Sequence, residues 1–231
     1  MRISSRSVNS RIERELIRIV FGSWTQYADA LPFASALALA MSGLFPVLGR
    51  APAGAIAIWL GCQILCSVCA LMVWRLHQQH ERRATNRAWL GRLCVIWGVR
   101  GAIWGSLIGT FWAGATPAGQ LLLCTLVLGV MVSSFYALAP CRIVFATNLG
   151  AILLSVIGSL VVVGGGPFAA MIGIVFPAFA LIILSYGLQH SAKYRAAIAL
   201  RFENEHMTRV LARAKRSAEQ ANLARADFSP I

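Results

Sequence analysis

Long apolar runs alternate with short basic segments along this chain, and that alternation leaves few folds open. The runs cover Leu31–Leu48, about Ala53 to Trp74, about Leu93 to Trp112, Gln120–Leu138, Ile143–Val163 and Phe168–Leu188. A helix needs about 20 mostly apolar residues to cross the hydrocarbon core of a bilayer. Inside lipid the backbone must satisfy its own polar groups, so such runs are helices. The expected fold is therefore all-α, a polytopic membrane protein with six transmembrane helices. Composition agrees: 58% of residues are hydrophobic and 13% charged, against about a quarter charged in soluble domains. The joints carry turn chemistry, at Gly49-Arg50-Ala51-Pro52, Gly114-Ala115-Thr116-Pro117, Ala139-Pro140-Cys141-Arg142 and Gly164-Gly165-Gly166-Pro167.

Orientation follows from where Lys and Arg fall. Arg2, Arg6, Arg11, Arg14 and Arg18 precede the first run. Arg75, Arg82, Arg83, Arg87 and Arg92 lie around the joint after the second, Arg142 follows the fourth, and eight more follow the sixth. The three intervening joints hold only Arg50. Both termini are thus expected in the cytoplasm of a bacterial inner membrane. The formal net charge of +13 sits beside apolar runs, so it reads as a topology signal and no nucleic-acid partner is expected. Met1 to Arg18 is polar and basic and does not read as a cleaved signal peptide. The six cysteines lie in or beside apolar runs, which argues against a secreted disulfide framework.

Three segments follow. Residues 1–27 form a cytoplasmic N-terminal amphipathic helix, 28–188 the six-helix membrane domain, and 189–231 a cytoplasmic coiled-coil helix. Ser10 and Glu13 fit a capping box, and Ile12, Leu16, Ile19 and Val20 oppose Arg11, Arg14 and Arg18. That helix is expected either on the membrane surface or as an extension of the first span. In the tail, Ala197, Leu200, Asn204, Met207, Leu211, Ala214, Ala218, Ala221 and Phe228 fall on one heptad seam, with Arg225 departing from it. Leu200, Asn204, Met207 and Leu211 would form a parallel homodimer seam in which Asn204 fixes the register; the alternative is a solvated single helix.

No catalytic set, phosphate loop or metal motif is present, and no cofactor is expected. The eight acidic residues fall almost wholly outside the runs. Arg100 stands mid-span in the third run, where an arginine costs about 2.5–3.5 kcal/mol to insert. It is a candidate for holding an anionic ligand, with Trp97 and Trp104 as pocket walls. The competing readings are an arginine that snorkels or bonds backbone carbonyls, with the two indoles simply packed. Gly101, Gly105 and Gly109 repeat every four residues, the spacing of a close helix-packing face. Cys62, Cys66 and Cys69 share one face of the second span, where they read as small apolar residues.

The stretch Ala214-Lys215-Arg216-Ser217-Ala218-Glu219-Gln220-Ala221-Asn222-Leu223-Ala224-Arg225-Ala226-Asp227-Phe228 resembles the helix leading into the phosphoacceptor domain of bacterial sensor histidine kinases. The membrane region, with Gly101-Ala102-Ile103-Trp104-Gly105, looks like the input module of hybrid kinases, and similar modules precede diguanylate cyclase domains. After Phe228 that family continues into Ser-His-Glu/Asp-Leu-Arg, whereas Ser229-Pro230-Ile231 follow here. The resemblance implies a sensor module truncated before its phosphoacceptor domain, with no kinase residue to carry over. The expected function is membrane input to a two-component sensor histidine kinase, in contact with membrane lipid. The signal would be a lipophilic or anionic small molecule, and the missing output domain would address a response regulator. The alternatives are a small transporter or permease, or the same sensor joined to a cyclase.

Overall fold

The computed structural model describes residues 5–22, 30–44, 46–80, 86–163 and 167–227. The expected Gly164–Gly166 turn, Arg82, Arg83 and Phe228 lie outside them. Among the described residues the protein is all-α, and its sole extended pairing is one isolated bridge, Gly49 with Ala115. The helices are α1 (Ser5–Gly22), α2 (Ala30–Leu39), α3 (Ala53–His80), α4 (Asn86–Gly105), α5 (Leu107–Phe111), α6 (Pro117–Leu138), α7 (Arg142–Val163) and α8 (Pro167–Asp227). Helix α4 continues into α5 with only Ser106 out of regular geometry, where Ser106 N–H still donates to the Ala102 carbonyl at 2.9 Å.

Five helical stretches are apolar and long enough to cross a membrane, beginning at Ala53, Asn86, Pro117, Arg142 and Ala170. The expected first span, Leu31–Leu48, takes a different form. Helix α2 widens into a π-turn at Ala40–Leu44 and gives way to a 3-10 turn at Pro46–Leu48. Gly43, at φ 97°, takes a left-handed conformation that only glycine adopts without strain, and Pro46 has no N–H to continue the ladder. The other apolar stretches expose wide lipid-compatible faces, including Ile58, Leu65 and Met72 on α3 and Leu154 and Val161 on α7.

The end of the bundle away from α1 is tied by backbone. Arg50 N–H donates to the Gly114 carbonyl at 2.9 Å, and Thr116 N–H to the Leu48 carbonyl at 3.2 Å. Thr116 caps α6 by accepting from Gly119 N–H, with Pro117 at the first helical position. Its hydroxyl also donates to the Val47 carbonyl. Two turns read separately in the sequence thus form one joint. Gly49 is required there: its φ is 97°, and a Cβ would lie 2.2 Å from the Gly114 carbonyl oxygen.

The core is the pairing of α4 and α5 with α7. A Cβ on Gly101 would stand 2.6 Å from the Asn148 carbonyl oxygen, one on Gly105 2.5 Å from that of Ile152, and one on Gly109 2.7 Å from Ser159 Oγ. Backbones that close leave Asn148 Nδ2 to donate to the Trp97 carbonyl at 2.7 Å and Ser155 Oγ to the Ala102 carbonyl at 2.8 Å. Helix α3 lies antiparallel on another side of α4, with Trp59 Nε1 donating to the Ile103 carbonyl at 3.0 Å. Helix α8 crosses α7 where Phe145 fills the space left by Gly187.

Helix α1 packs against protein. Ile17, Val20 and Phe21 join the main core, while Ile12 and Leu16 meet Ile198 on α8, flanked by Ala199 and Phe202. Phe21 stacks on His77 at 4.2 Å, and Trp89 meets His77 edge-on at 4.8 Å. Neither an isolated surface helix nor an extension of the first span describes this. The apolar face that would have sought the headgroups is covered by α8 and the ends of α3 and α4.

The glycine face sets a sharp stability contrast. Gly105→Ala forces Cβ against the backbone of α7 and is expected to cost about 1–3 kcal/mol, as overpacking does. Gly158→Ala, where a Cβ meets open space, is expected to be near neutral. Thermal unfolding of the two variants in the same detergent checks this; equal shifts would refute the packing account.

Candidate functional site

About two turns beyond Arg92, α4 carries the one arginine buried inside the bundle among the described residues. Arg100 is 4% exposed, and its guanidinium carbon lies 5.4 Å from the Trp97 ring centroid, within cation–π range. It stands three and four residues before Ile103 and Trp104, the positions that meet Trp59 of α3, so it lies on the face of α4 turned toward α3. Its burial shows that it does not snorkel out to water. Trp97 is buried beside it. Trp104 sits one level further along, edge-on to Trp59 at 5.4 Å. The two indoles do not form opposite walls of one pocket: Trp97 neighbours the arginine, and Trp104 belongs to an aromatic group with Trp59 and Phe111.

The α3 face opposite Arg100 was not singled out from the sequence. Trp59, Gln63, Cys66, Ala70 and His77 are buried on it, spaced by four, three, four and seven. The register set by Trp59 with Ile103, and by the Cys66 thiol 4.0 Å from the Ile96 carbonyl, brings Gln63 level with Arg100. Gln63 is 2% exposed, and its amide nitrogen has no hydrogen-bond partner. On α7, Asn148 is 2% exposed and its Oδ1 likewise lacks one. Each is the only amide in its span, which was the available signal. A guanidinium and an unpaired amide N–H at one depth between the same two helices are donors that suit an anionic or carbonyl-bearing group.

The cysteines divide. Cys66 is buried, while Cys62 and Cys69 are exposed on the outer face, and no group of three metal-ligating side chains occurs among the described residues. Cys141, in the turn between α6 and α7, is buried, and burial pushes its thiol above the usual range against the opposing pull of the Val144 and Ile143 N–H groups and Arg195.

On α8, Leu200, Asn204, Met207 and Leu211 are all exposed. Helix α1 covers Ile198 and Phe202 instead, a face about 170° around the helix from that seam at 3.6 residues per turn. Glu15 of α1 reinforces the contact, 3.9 Å from Arg201. The heptad seam is thus left open while the helix is held from behind.

No protein family, curated protein or solved structure matches this chain.

Proposed function

We propose that this chain is the membrane input module of a bacterial two-component sensor histidine kinase, working as a homodimer whose output domain would follow α8. One observation carries the reading. Helix α8 runs 61 residues, about 90 Å, from the core of the bundle to the open heptad seam; Pro177 interrupts its hydrogen-bond ladder near the start, and the stretch from Ala178 to Asp227 holds no further proline. A change in packing within the membrane therefore has a rigid route to an output domain. The alanine-rich end of the same helix is the part that resembles the kinase family. The cyclase alternative shares this membrane mechanism and differs only in the output.

The topology proposed is six crossings of the inner membrane with both termini inside. Support comes from the charge distribution and from α2, which ends at the Gly49 joint, opposite α1. Just past the far end of α2 the Met41 carbonyl accepts from Ala51 N–H at 2.9 Å, so the helix reaches the level of that joint. A reporter active only in the cytoplasm is expected to work when fused after Arg142 or Arg201 and to fail after Pro117 or Gly165. Activity after Gly165 would remove the six-crossing topology.

The dimer reading makes a geometric demand. In a background without the native cysteines, single cysteines at Leu200 and Leu211 are expected to crosslink two chains in membranes, and one at Phe202, beneath α1, is not. Equal crosslinking at all three positions would mean that α8 is not paired through the seam.

The signal site is assigned to Arg100 with Gln63, taking a carboxylate or another small anion that reaches it within the bilayer. In a fusion of residues 1–228 to an intact kinase core, Arg100→Gln should abolish the response while leaving membrane insertion and crosslinking intact. Arg100→Lys should restore only part, since ammonium lacks the planar fork. A normal dose response in Arg100→Leu would reduce Arg100 to a packing residue.

A further inference from the structure

At the basic end, α1, α4, α7 and α8 enclose a cavity of about 240 Å³. Arg87 from α4, Arg142 from the first turn of α7 and Arg195 from α8 all line it, with Asn86 beside them. None of the three arginines has an ion-pair partner among the described residues. Glu13 of α1 also lines the cavity, and it pairs with none of them. Three guanidinium groups against one carboxylate leave the site at a net charge of +2. The Nε of Arg195 is fully buried and has no acceptor. A buried charged donor left without an acceptor is costly, and such groups in folded proteins are nearly always satisfied by protein, water or ligand.

The arrangement is specific in sign and shape. Arg142 opens α7, so the partial positive charge of that helix start faces the same space. Fork-shaped donors on three helices suit the several oxygens of a phosphate better than a single carboxylate. The remaining wall is apolar, with Leu90 and Ile143 on one side and Leu16 and Ile17 on the other. A basic pocket between helices at the cytoplasmic membrane boundary is where anionic phospholipid headgroups are held.

We infer that this cavity is a binding site for a phosphate-bearing anion, which clamps α1 and α8 to α4 and α7. Its chemistry is shared by an anionic phospholipid headgroup and a free phosphate. The apolar wall favours the phospholipid. The site lies at the opposite end of α4 from Trp104, separate from Arg100, and depends on neither the output domain nor the nature of the signal. Occupancy would hold α8 in place as it leaves the membrane, so lipid composition would bear on the output helix directly.

The test uses the full chain in detergent, with bound lipid counted by native mass spectrometry. Titrants are phosphatidylglycerol, phosphatidylcholine and inorganic phosphate. Phosphatidylglycerol is expected to bind in preference to phosphatidylcholine, and each arginine removed should weaken it about fivefold. The triple variant Arg87→Gln, Arg142→Gln, Arg195→Gln should therefore lose about 100-fold. Leu90→Trp, which fills the cavity and changes no charge, should also reduce binding and serves if the triple variant misinserts. Arg213→Gln, on the exposed part of α8, should leave it unchanged. Inorganic phosphate that displaces phosphatidylglycerol and shows the same variant dependence would assign the site to a soluble phosphate. Equal phosphatidylglycerol affinity in the wild type, Leu90→Trp and the triple variant would overturn the proposal.

Discussion

Close approach of two backbones, α4–α5 and α7, underlies the rest of the bundle. Lipid tails are as apolar as leucine, so helices in a bilayer gain little from hiding apolar surface and rely on contact and hydrogen bonds. Gly101, Gly105 and Gly109 remove the side chains that would hold α7 away. Asn148 and Ser155 then reach carbonyls on α4 that are already part of its own ladder. Such bonds average about 0.6 kcal/mol each, so the pairing depends on many contacts made together. With one side of α4 fixed on α7, another is free to receive α3, and Arg100 points into that second seam.

The basic end is organised by a different rule. Here the contacts are aromatic and charged: Phe21 on His77, Trp89 against both, and the Arg92 guanidinium 4.5 Å from the Trp89 centroid. Helix α1 is therefore a strap, joined to the bundle through Phe21 and to the outgoing helix through Ile12 and Leu16. Its arginines still face outward, as its amphipathic pattern requires.

What could be read from the sequence follows from which signals are local. Apolar length and the basic joints are properties of short windows, and they announced an all-helical membrane chain and, to within a turn, the bounds of α6 and α7. The glycine spacing in α4 also named a packing face. Its partner on α7 could not be named, because small residues mark where a helix is approached and not by what. The same holds for Trp104, whose neighbour Trp59 lies 45 residues earlier in the chain. Gln63 and Asn148 are solitary amides in their apolar runs, a signal the sequence reading passed over, and only the register between helices gives them a meaning. Hydropathy counts the apolar residues of the first run; it does not register that Gly43 and Pro46 break the helical ladder there.

The continuity of α8 imposes a rule of phase. Each residue advances an α-helix by about 100°, so inserting one residue between Leu188 and Ala197 would turn the whole seam by that angle relative to the bundle. Inserting seven would return it to within about 20° of its starting direction. A single added residue would also swing Leu200 toward α1 and carry Phe202 out from under it, setting the strap against the seam. Under the proposed function, the distance from membrane to output would be constrained in multiples of the heptad, whatever the identity of the residues that fill it. Junctions with foreign output domains should obey the same arithmetic, working at some lengths and failing one residue away.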